Sequence, residues 1–160
     1  MANKNNNTNF KIVSRNRKAK FNYEIIETYE AGIILLGTEV KAIRDGHMSL
    51  QESYVGTCKD DDSLYLFNCD ISVYKKATKN HDPKRVRKLL LHKKENIKLI
   101  NAVQTKGMAI LALTSYFNNN GILKITIALT RGKSKIDKRD TESKRDWDIK
   151  KQRILRNYNK

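Results

Sequence analysis

The residues with the most chemistry to offer are cations that recur beside apolar runs: Lys41 and Arg44, then Lys84, Arg85, Arg87, Lys88 and Lys93, then Lys124, Arg131, Lys133 and Lys135. Gathered by a fold, such a set grips phosphate oxygens at fixed spacing, and each phosphate neutralised releases counterions and makes binding salt-dependent. Glu39, between Gly37 and Lys41, is the exception. Its carboxylate either holds a neighbouring Lys or Arg in a local salt bridge or accepts hydrogen bonds from a base edge or ribose hydroxyl. Bond-breaking chemistry is poorly represented. His47, His81 and His92 are scattered and match no metal spacing. His81 and Asp82 lie in an extended segment before Pro83, where adjacent side chains point apart. Asp60, Asp61 and Asp62 read as a solvated hairpin turn rather than a magnesium site. There is no Gly-rich phosphate loop, nucleophile elbow or Cys/His pair, so neither enzymatic activity, metal nor cofactor is expected. Cys58 and Cys69 are the only thiols, in no zinc spacing, and are expected to be free and half-buried.

The charge that would meet a polyanion is unevenly spread. Of 160 residues 33 are Lys or Arg and 17 Asp or Glu, a net +16, yet residues 1–20 carry +6 and residues 131–160 carry +7. The body between them, with nearly all the long apolar runs, is close to neutral. Its size allows one modest core, so a single domain over residues 16–131 is expected between two arms. The first arm, residues 1–15, is Asn-rich with too few apolar groups to offset the entropy of ordering it, and is expected to be disordered. The second, residues 132–160, alternates charges with no Pro, and from Asp137 no Gly either. Trp147, Ile154, Leu155 and Tyr158 fall on one narrow helical stripe. That is too little for a self-standing helix, so the arm is expected to be disordered when free and to fold as a helix on a partner; the alternative is a helix docked back on its own body. No stretch is long and apolar enough for a membrane span or a signal peptide, which makes a cytoplasmic protein the expectation.

The elements that must position these cations are mostly strands. Tyr65 to Val73 alternates, with Tyr65, Phe67, Cys69, Ile71 and Val73 on one face, and Lys124 to Thr130 puts Ile125, Ile127 and Leu129 inward and Lys124 outward. Met108 to Phe117 is nearly all apolar and runs through Asn118-Asn119-Asn120-Gly121 into the Lys124 strand, which predicts a hairpin. Tyr23 to Thr28 and Ile33 to Ile43 read as another antiparallel pair split near Ala31-Gly32, and Arg87 to Leu91 as a short strand. Lys93 to Thr105 is the best helix, with Ile97, Leu99, Ile100 and Val103 on one side and Lys106-Gly107 closing it. Ser49 and Glu52 match a capping box, so Leu50 to Val55 is either a short helical turn or a strand. Short antiparallel strands, pronounced bends at Gly32, Gly37 and Gly46, and peripheral helices predict a mainly β fold, an OB-like closed antiparallel barrel.

Several segments together resemble the SmpB family, the bacterial small protein B that binds transfer-messenger RNA (tmRNA): Asn16-Arg17-Lys18-Ala19, Tyr29-Glu30-Ala31-Gly32-Ile33, Gly37-Thr38-Glu39-Val40-Lys41, Tyr74, His81-Asp82-Pro83, Arg87 through Lys93, Gly132-Lys133 and Asp137-Lys138-Arg139. They run in family order from residue 16 to about residue 156. The resemblance implies an OB-like barrel and a monomeric, non-enzymatic adaptor for trans-translation. Such a protein binds the tRNA-like domain of tmRNA, assists its charging by alanyl-tRNA synthetase, and with elongation factor Tu delivers it to stalled ribosomes. Its tail then folds in the mRNA channel beyond the small-subunit decoding centre.

By matched position the resemblance implies Glu39, Lys41, Arg44, Arg87, Lys88, His92 and Lys124 as the RNA surface. It implies Gly132, Lys133, Asp137, Lys138 and Arg139 as ribosome contacts, with Trp147, Ile154 and Leu155 lining the tail helix. His92 either meets an exposed base or caps the helix that starts at Lys93. Phe21 and Ile136 depart from the family, standing where relatives carry His or, at 136, His or an aromatic residue.

Overall fold

The structure, a computed structural model, describes residues 11–58, 61–133, 143 and 146–152. Its elements run β1 (Lys11–Arg15), α1 (Arg17–Asn22), β2 (Tyr23–Ile33), α2 (Gly37–Arg44), β3 (Met48–Ser49), β4 (Tyr54–Cys58), β5 (Asp61–Phe67), β6 (Asp70–Ile71), β7 (Arg87–Leu90), α3 (Lys93–Lys106), β8 (Ala109–Phe117) and β9 (Leu123–Gly132). The large sheet has the order β1-β8-β4-β5-β7-β2-β9, and β8 also pairs with β9, so the ladder closes on itself. All its pairings are antiparallel. Strand β8 is the hub: one edge follows β9, while the other meets β4 at Ile110 and Leu111 and β1 from Thr114 to Phe117.

The expected β8–β9 hairpin forms. The Asn118 side chain accepts from the backbone of Asn120 (3.1 Å) and Ile122 (2.9 Å), and Gly121 takes the positive φ of 72° that the turn requires. Leu64, Leu66, Ile71, Leu89, Ile110, Ile125 and Ile127 fill the interior of the ring, and Ile43 from α2 and Leu99 from α3 pack into the same core. A smaller cluster, Ala19, Leu111, Leu113 and Ala128, lies under α1. Helix α3 ends at Gly107 with φ 56°, as its sequence predicts. Its expected apolar face is only partly covered: Leu99 is buried but Ile97 remains exposed.

Several expectations are corrected. Residues 11–15 of the supposedly disordered arm form β1, because the exposed edge of β8 offers them ladder hydrogen bonds that local composition cannot reveal; residues 1–10 lie outside the described residues. Strand β2 runs unbroken through Ala31-Gly32, and the second half of the supposed pair is instead helix α2. Its β-branched residues favour a strand locally, yet Ala42 and Ile43 become buried only when the segment is wound into a helix. The Tyr65 to Val73 run breaks at Asn68, whose φ of 53° shifts the alternation by one residue. Leu64 and Leu66 are therefore buried before the break, Cys69 and Ile71 after it, and Val73 is exposed. Leu50 to Val55 is neither alternative throughout: it begins as a turn in which Ser53 N donates to Leu50 O (3.2 Å) and enters β4 at Tyr54. Gly132 still belongs to β9, opposite Tyr23, so the body extends past residue 131. Residues 146–152 are helical and all exposed.

Asn16 ties the amino-terminal segment down. Its side chain accepts from Ala19 N (3.1 Å) to cap α1 and donates to Leu50 O (3.1 Å), while its backbone N donates to Leu113 O (2.8 Å). Asn16→Ala removes both side-chain bonds and is expected to cost about 1–2 kcal/mol, read as a lowered urea midpoint with an unchanged slope.

A candidate nucleic-acid interface

The network around Glu39 begins with helix geometry. Three residues after Leu36, Glu39 turns back so that its Oε2 accepts from Leu36 N (2.7 Å) and caps α2. The same carboxylate receives Arg85 Nη2 (2.7 Å) and Nε (3.2 Å) and Arg87 Nε (2.8 Å). Glu39 and Arg87 side chains are both wholly buried, while that of Arg85 is 32% exposed. Arg87 spends its remaining donors on backbone: Nη1 on Cys69 O (2.8 Å) and Arg85 O (2.8 Å), Nη2 on Pro83 O (3.0 Å). Burial by itself would push the Glu39 pKa up. The hydrogen bonds from Arg85 and Leu36 and the Arg87 charge outweigh burial and hold it below the usual carboxylate range. Nearby, burial pushes the Cys69 thiol up to about 12, so it is neutral at physiological pH.

Glu39 and Arg87, inferred as RNA contacts, are thus corrected to interior residues: neither has surface to offer. Of the alternatives for Glu39, the local salt bridge is the one formed. Lys41 and Arg44, on the same helix, are exposed, and Lys41 Nζ lies 5.5 Å from the centre of the Tyr74 ring. Lys88 on β7 reaches over the Tyr65 ring at 5.9 Å. His81 is buried, with Nε2 donating to Ile71 O (2.9 Å) and Nδ1 paired with Thr38 Oγ1 (2.9 Å). It serves the fold, a role its place in the sequence did not disclose.

His92 and Lys124 come together elsewhere. They line a groove of about 540 Å³ with Glu30, Gly32, Ile33, Leu90, Leu91, Glu95 and Ile122. Gly32 makes the groove possible: it lies opposite Leu90, and a Cβ there would stand 3.3 Å from the Leu90 Cβ. Lys124 Nζ is 3.4 Å from Glu30 Oε1, and Tyr116 donates to Glu30 Oε2. Burial first, then that bond and the Glu30 charge, raises the Tyr116 pKa to about 12. The backbone N of exposed His92 donates to Glu95 Oε2 (3.1 Å), so the Glu95 carboxylate reaches back to close the start of α3. Glu30 and Leu90, inside the Tyr29–Ile33 and Arg87–Lys93 motifs, and Ile122 become site residues only through the fold. The groove therefore offers a cation, an imidazole, a carboxylate and apolar walls of Leu90 and Ile122, both more than half exposed. That mixture suits phosphate, ribose and base together.

The assigned tail contacts are only partly described. Gly132 is exposed, and Lys133 is held against α1, its N donating to Asn22 O (3.2 Å) and its Nζ to Lys20 O (3.2 Å). Trp147 is 69% exposed. Asp137, Lys138, Arg139, Ile154 and Leu155 lie outside the described residues, as do Ile136 and Asp60.

A mainly β body carrying exposed cations beside an amphipathic groove defines the class: a basic β protein with a surface suited to nucleic acid. Comparison with known proteins narrows it. The family model described as SmpB protein matches residues 13–157. The chain is 51% identical over 148 residues to an SsrA-binding protein of Beijerinckia indica subsp. indica, spanning 92% of this chain and 93% of the relative. It is 49% identical over 157 residues to one from Rhodopseudomonas palustris (strain TIE-1), spanning 98% of each. A solved structure described as "tmRNA-SmpB: a journey to the center of the bacterial ribosome" matches with a TM-score of 0.62 and 46% identity, covering 76% of this chain and 84% of that one. The chain belongs to the SmpB protein family, as its collinear motifs implied.

The buried ion network makes a pH prediction. Because the Glu39 pKa is depressed on folding, its stabilising contribution is complete above the ordinary carboxylate pKa and is lost as pH falls through the lower, folded value. Glu39→Gln leaves the buried Arg87 charge uncompensated and is expected to cost about 3–5 kcal/mol at neutral pH. Urea melts at neutral and acid pH should show the variant losing less stability on acidification than the wild type.

Proposed function

We propose that this protein is the tmRNA-binding adaptor of trans-translation, delivering alanyl-tmRNA to stalled ribosomes for rescue and tagging of the nascent peptide. The observation that carries this reading is the family match over residues 13–157, which takes in both body and tail. The names of the relatives, SsrA-binding proteins, and the tmRNA-SmpB structure seen with the ribosome agree with it.

On this reading the closed ring of strands is an OB-like barrel whose outer face meets the tRNA-like domain. Lys41, Arg44, Lys88, His92 and Lys124 are its RNA contacts, and Arg85 joins them. Glu30 accepts from ribose hydroxyl or base amino groups beside Lys124. Glu39 and Arg87 act from the interior by positioning α2 and β7. The tail, whose residues 146–152 form an exposed helix, docks on the ribosome, with Gly132 and Lys133 at the end of the body and Asp137, Lys138 and Arg139 near the small-subunit decoding centre. Trp147, Ile154 and Leu155 line its helix in the mRNA channel. The protein works as a cytoplasmic monomer, needs no cofactor or metal, catalyses nothing itself, and meets alanyl-tRNA synthetase and elongation factor Tu through the RNA it carries.

Two measurements test this. The full-length protein is expected to prefer the tRNA-like domain over an unstructured RNA of equal length by a hundredfold or more at physiological salt, about 3 kcal/mol; equal binding that fades steeply with salt would reduce the claim to a basic surface. Removing residues 134–160, which spares β9 and the Lys133 contacts, is expected to leave tmRNA affinity within about twofold and to abolish tagging on stalled ribosomes. Joint loss of both would contradict the division between body and tail.

A further inference from the structure

Residues 72–86, between β6 and β7, contain neither strand nor helix, yet they are fastened along their length. Asn80 closes the loop on itself: its Oδ1 accepts from Tyr74 N (2.8 Å) and its Nδ2 donates to Tyr74 O (3.1 Å) and Ala77 O (3.2 Å). Pro83 O receives both Ile71 N (3.0 Å) and Arg87 Nη2 (3.0 Å). Three further ties reach one turn of α2: His81 to Thr38, Arg85 to Glu39, and Tyr74 under Lys41. A long irregular segment pinned at this many points is neither a linker nor a disordered insert.

What the loop holds out is charge. Lys75, Lys76, Lys79 and Lys84 are all exposed, and among the described residues none of these four side chains has a hydrogen-bond or ion-pair partner. The buried carboxylate that could have balanced them, Glu39, is already committed to Arg85 and Arg87. The segment's own acid, Asp82, uses its Oδ1 to accept from Lys84 N (2.9 Å). Two lysines elsewhere on the body, Lys98 and Lys124, are paired within the protein, with Glu27 and Glu30. A loop whose backbone is pinned while four of its exposed lysines stay unpaired is suited to a polyanion.

We propose that residues 74–85 form a preorganised grip for an RNA phosphate backbone, with Lys75, Lys76, Lys79 and Lys84 as its contacts and Asn80 and His81 as positioning residues. This rests on the RNA-binding reading and adds to it a surface outside the groove of His92 and Lys124. Because the backbone is already fixed, binding orders only the lysine side chains, which lowers the entropic cost of the contact. The phosphates come either from tmRNA or from ribosomal RNA, and the two are separable.

The test uses the full chain, the isolated tRNA-like domain of tmRNA and vacant small ribosomal subunits, each titrated from about 50 to 200 mM salt. The triple variant Lys75→Gln, Lys76→Gln, Lys79→Gln is expected to keep the wild-type unfolding midpoint. It should lose about tenfold or more in affinity for one of the two RNAs, with the slope of log K against log salt shallower by about 2 to 3; which RNA responds identifies the source. Asn80→Ala keeps every charge, so its slope should stay wild-type while its affinity for that same RNA falls. Unchanged affinity and slope of the triple variant on both RNAs, with Lys124→Gln still weakening tmRNA binding, would overturn the loop assignment alone. Wild-type protein that binds neither RNA would overturn both readings. A loss seen only against a featureless polyanion such as heparin would reduce the loop to a nonspecific charge and overturn the proposal as well.

Discussion

One buried carboxylate holds three parts of the chain in register. Glu39 caps the start of α2 through Leu36 N, receives Arg87 from β7, and receives Arg85 from the loop that precedes β7. In a water-excluded site a charge of this kind is tolerable only when its lone pairs are occupied and its sign balanced, and here both conditions are met by groups from distant sequence. Arg87 is subject to the same constraint from the other side, and its bonds to Cys69, Pro83 and Arg85 carbonyls extend the order into segments that have no ladder of their own. If the carboxylate is lost, the helix start, the strand and the long loop lose a shared anchor together.

That anchor explains why the cationic surface can be well defined although most of its members are long, flexible side chains. Lys41 and Arg44 project from a helix whose cap is buried, and Lys88 projects from the strand beside Arg87. The groove of His92 and Lys124 is shaped by a different device. Gly32 allows Leu90 to come close, and Glu30 orients Lys124 while accepting from Tyr116. One region is organised by a buried ion network and the other by close strand packing, so the two can respond separately to mutation and to pH.

Much of this was legible in residue patterns because it is local. The β8–β9 hairpin is written in alternation followed by Asn-Asn-Asn-Gly, α3 in its apolar spacing and its closing glycine, and β7 in a short apolar run. The SmpB resemblance was carried by collinear motifs that do not require knowing where any side chain points. What was misread shares one cause, which is that the deciding partner lies far away in sequence. Residues 11–15 have no reason to be ordered until β8 presents an edge, and residues 37–44 favour a strand until burial of Ala42 and Ile43 selects a helix. Asn68 shifts the face of its strand through a single backbone angle that the Tyr-x-Phe-x-Cys alternation conceals.

The candidate site divides along the same line. By itself the sequence determined that the protein is basic, that its positive charge is concentrated toward the two ends, that one core is all it can build, and which family motifs it carries. All of these depend only on residue type and spacing. Only the tertiary structure decided which charges face outward. Glu39 and Arg87 read as surface residues among other charged residues, yet they lie inside because each finds its counter-charge there. Lys75, Lys76 and Lys79 drew no notice in a loop without periodicity, yet they stand exposed on a pinned backbone. Whether an ionic side chain is buried is set by the free energy of desolvation against that of pairing, and the pairing partner is supplied by the fold rather than by sequence neighbours.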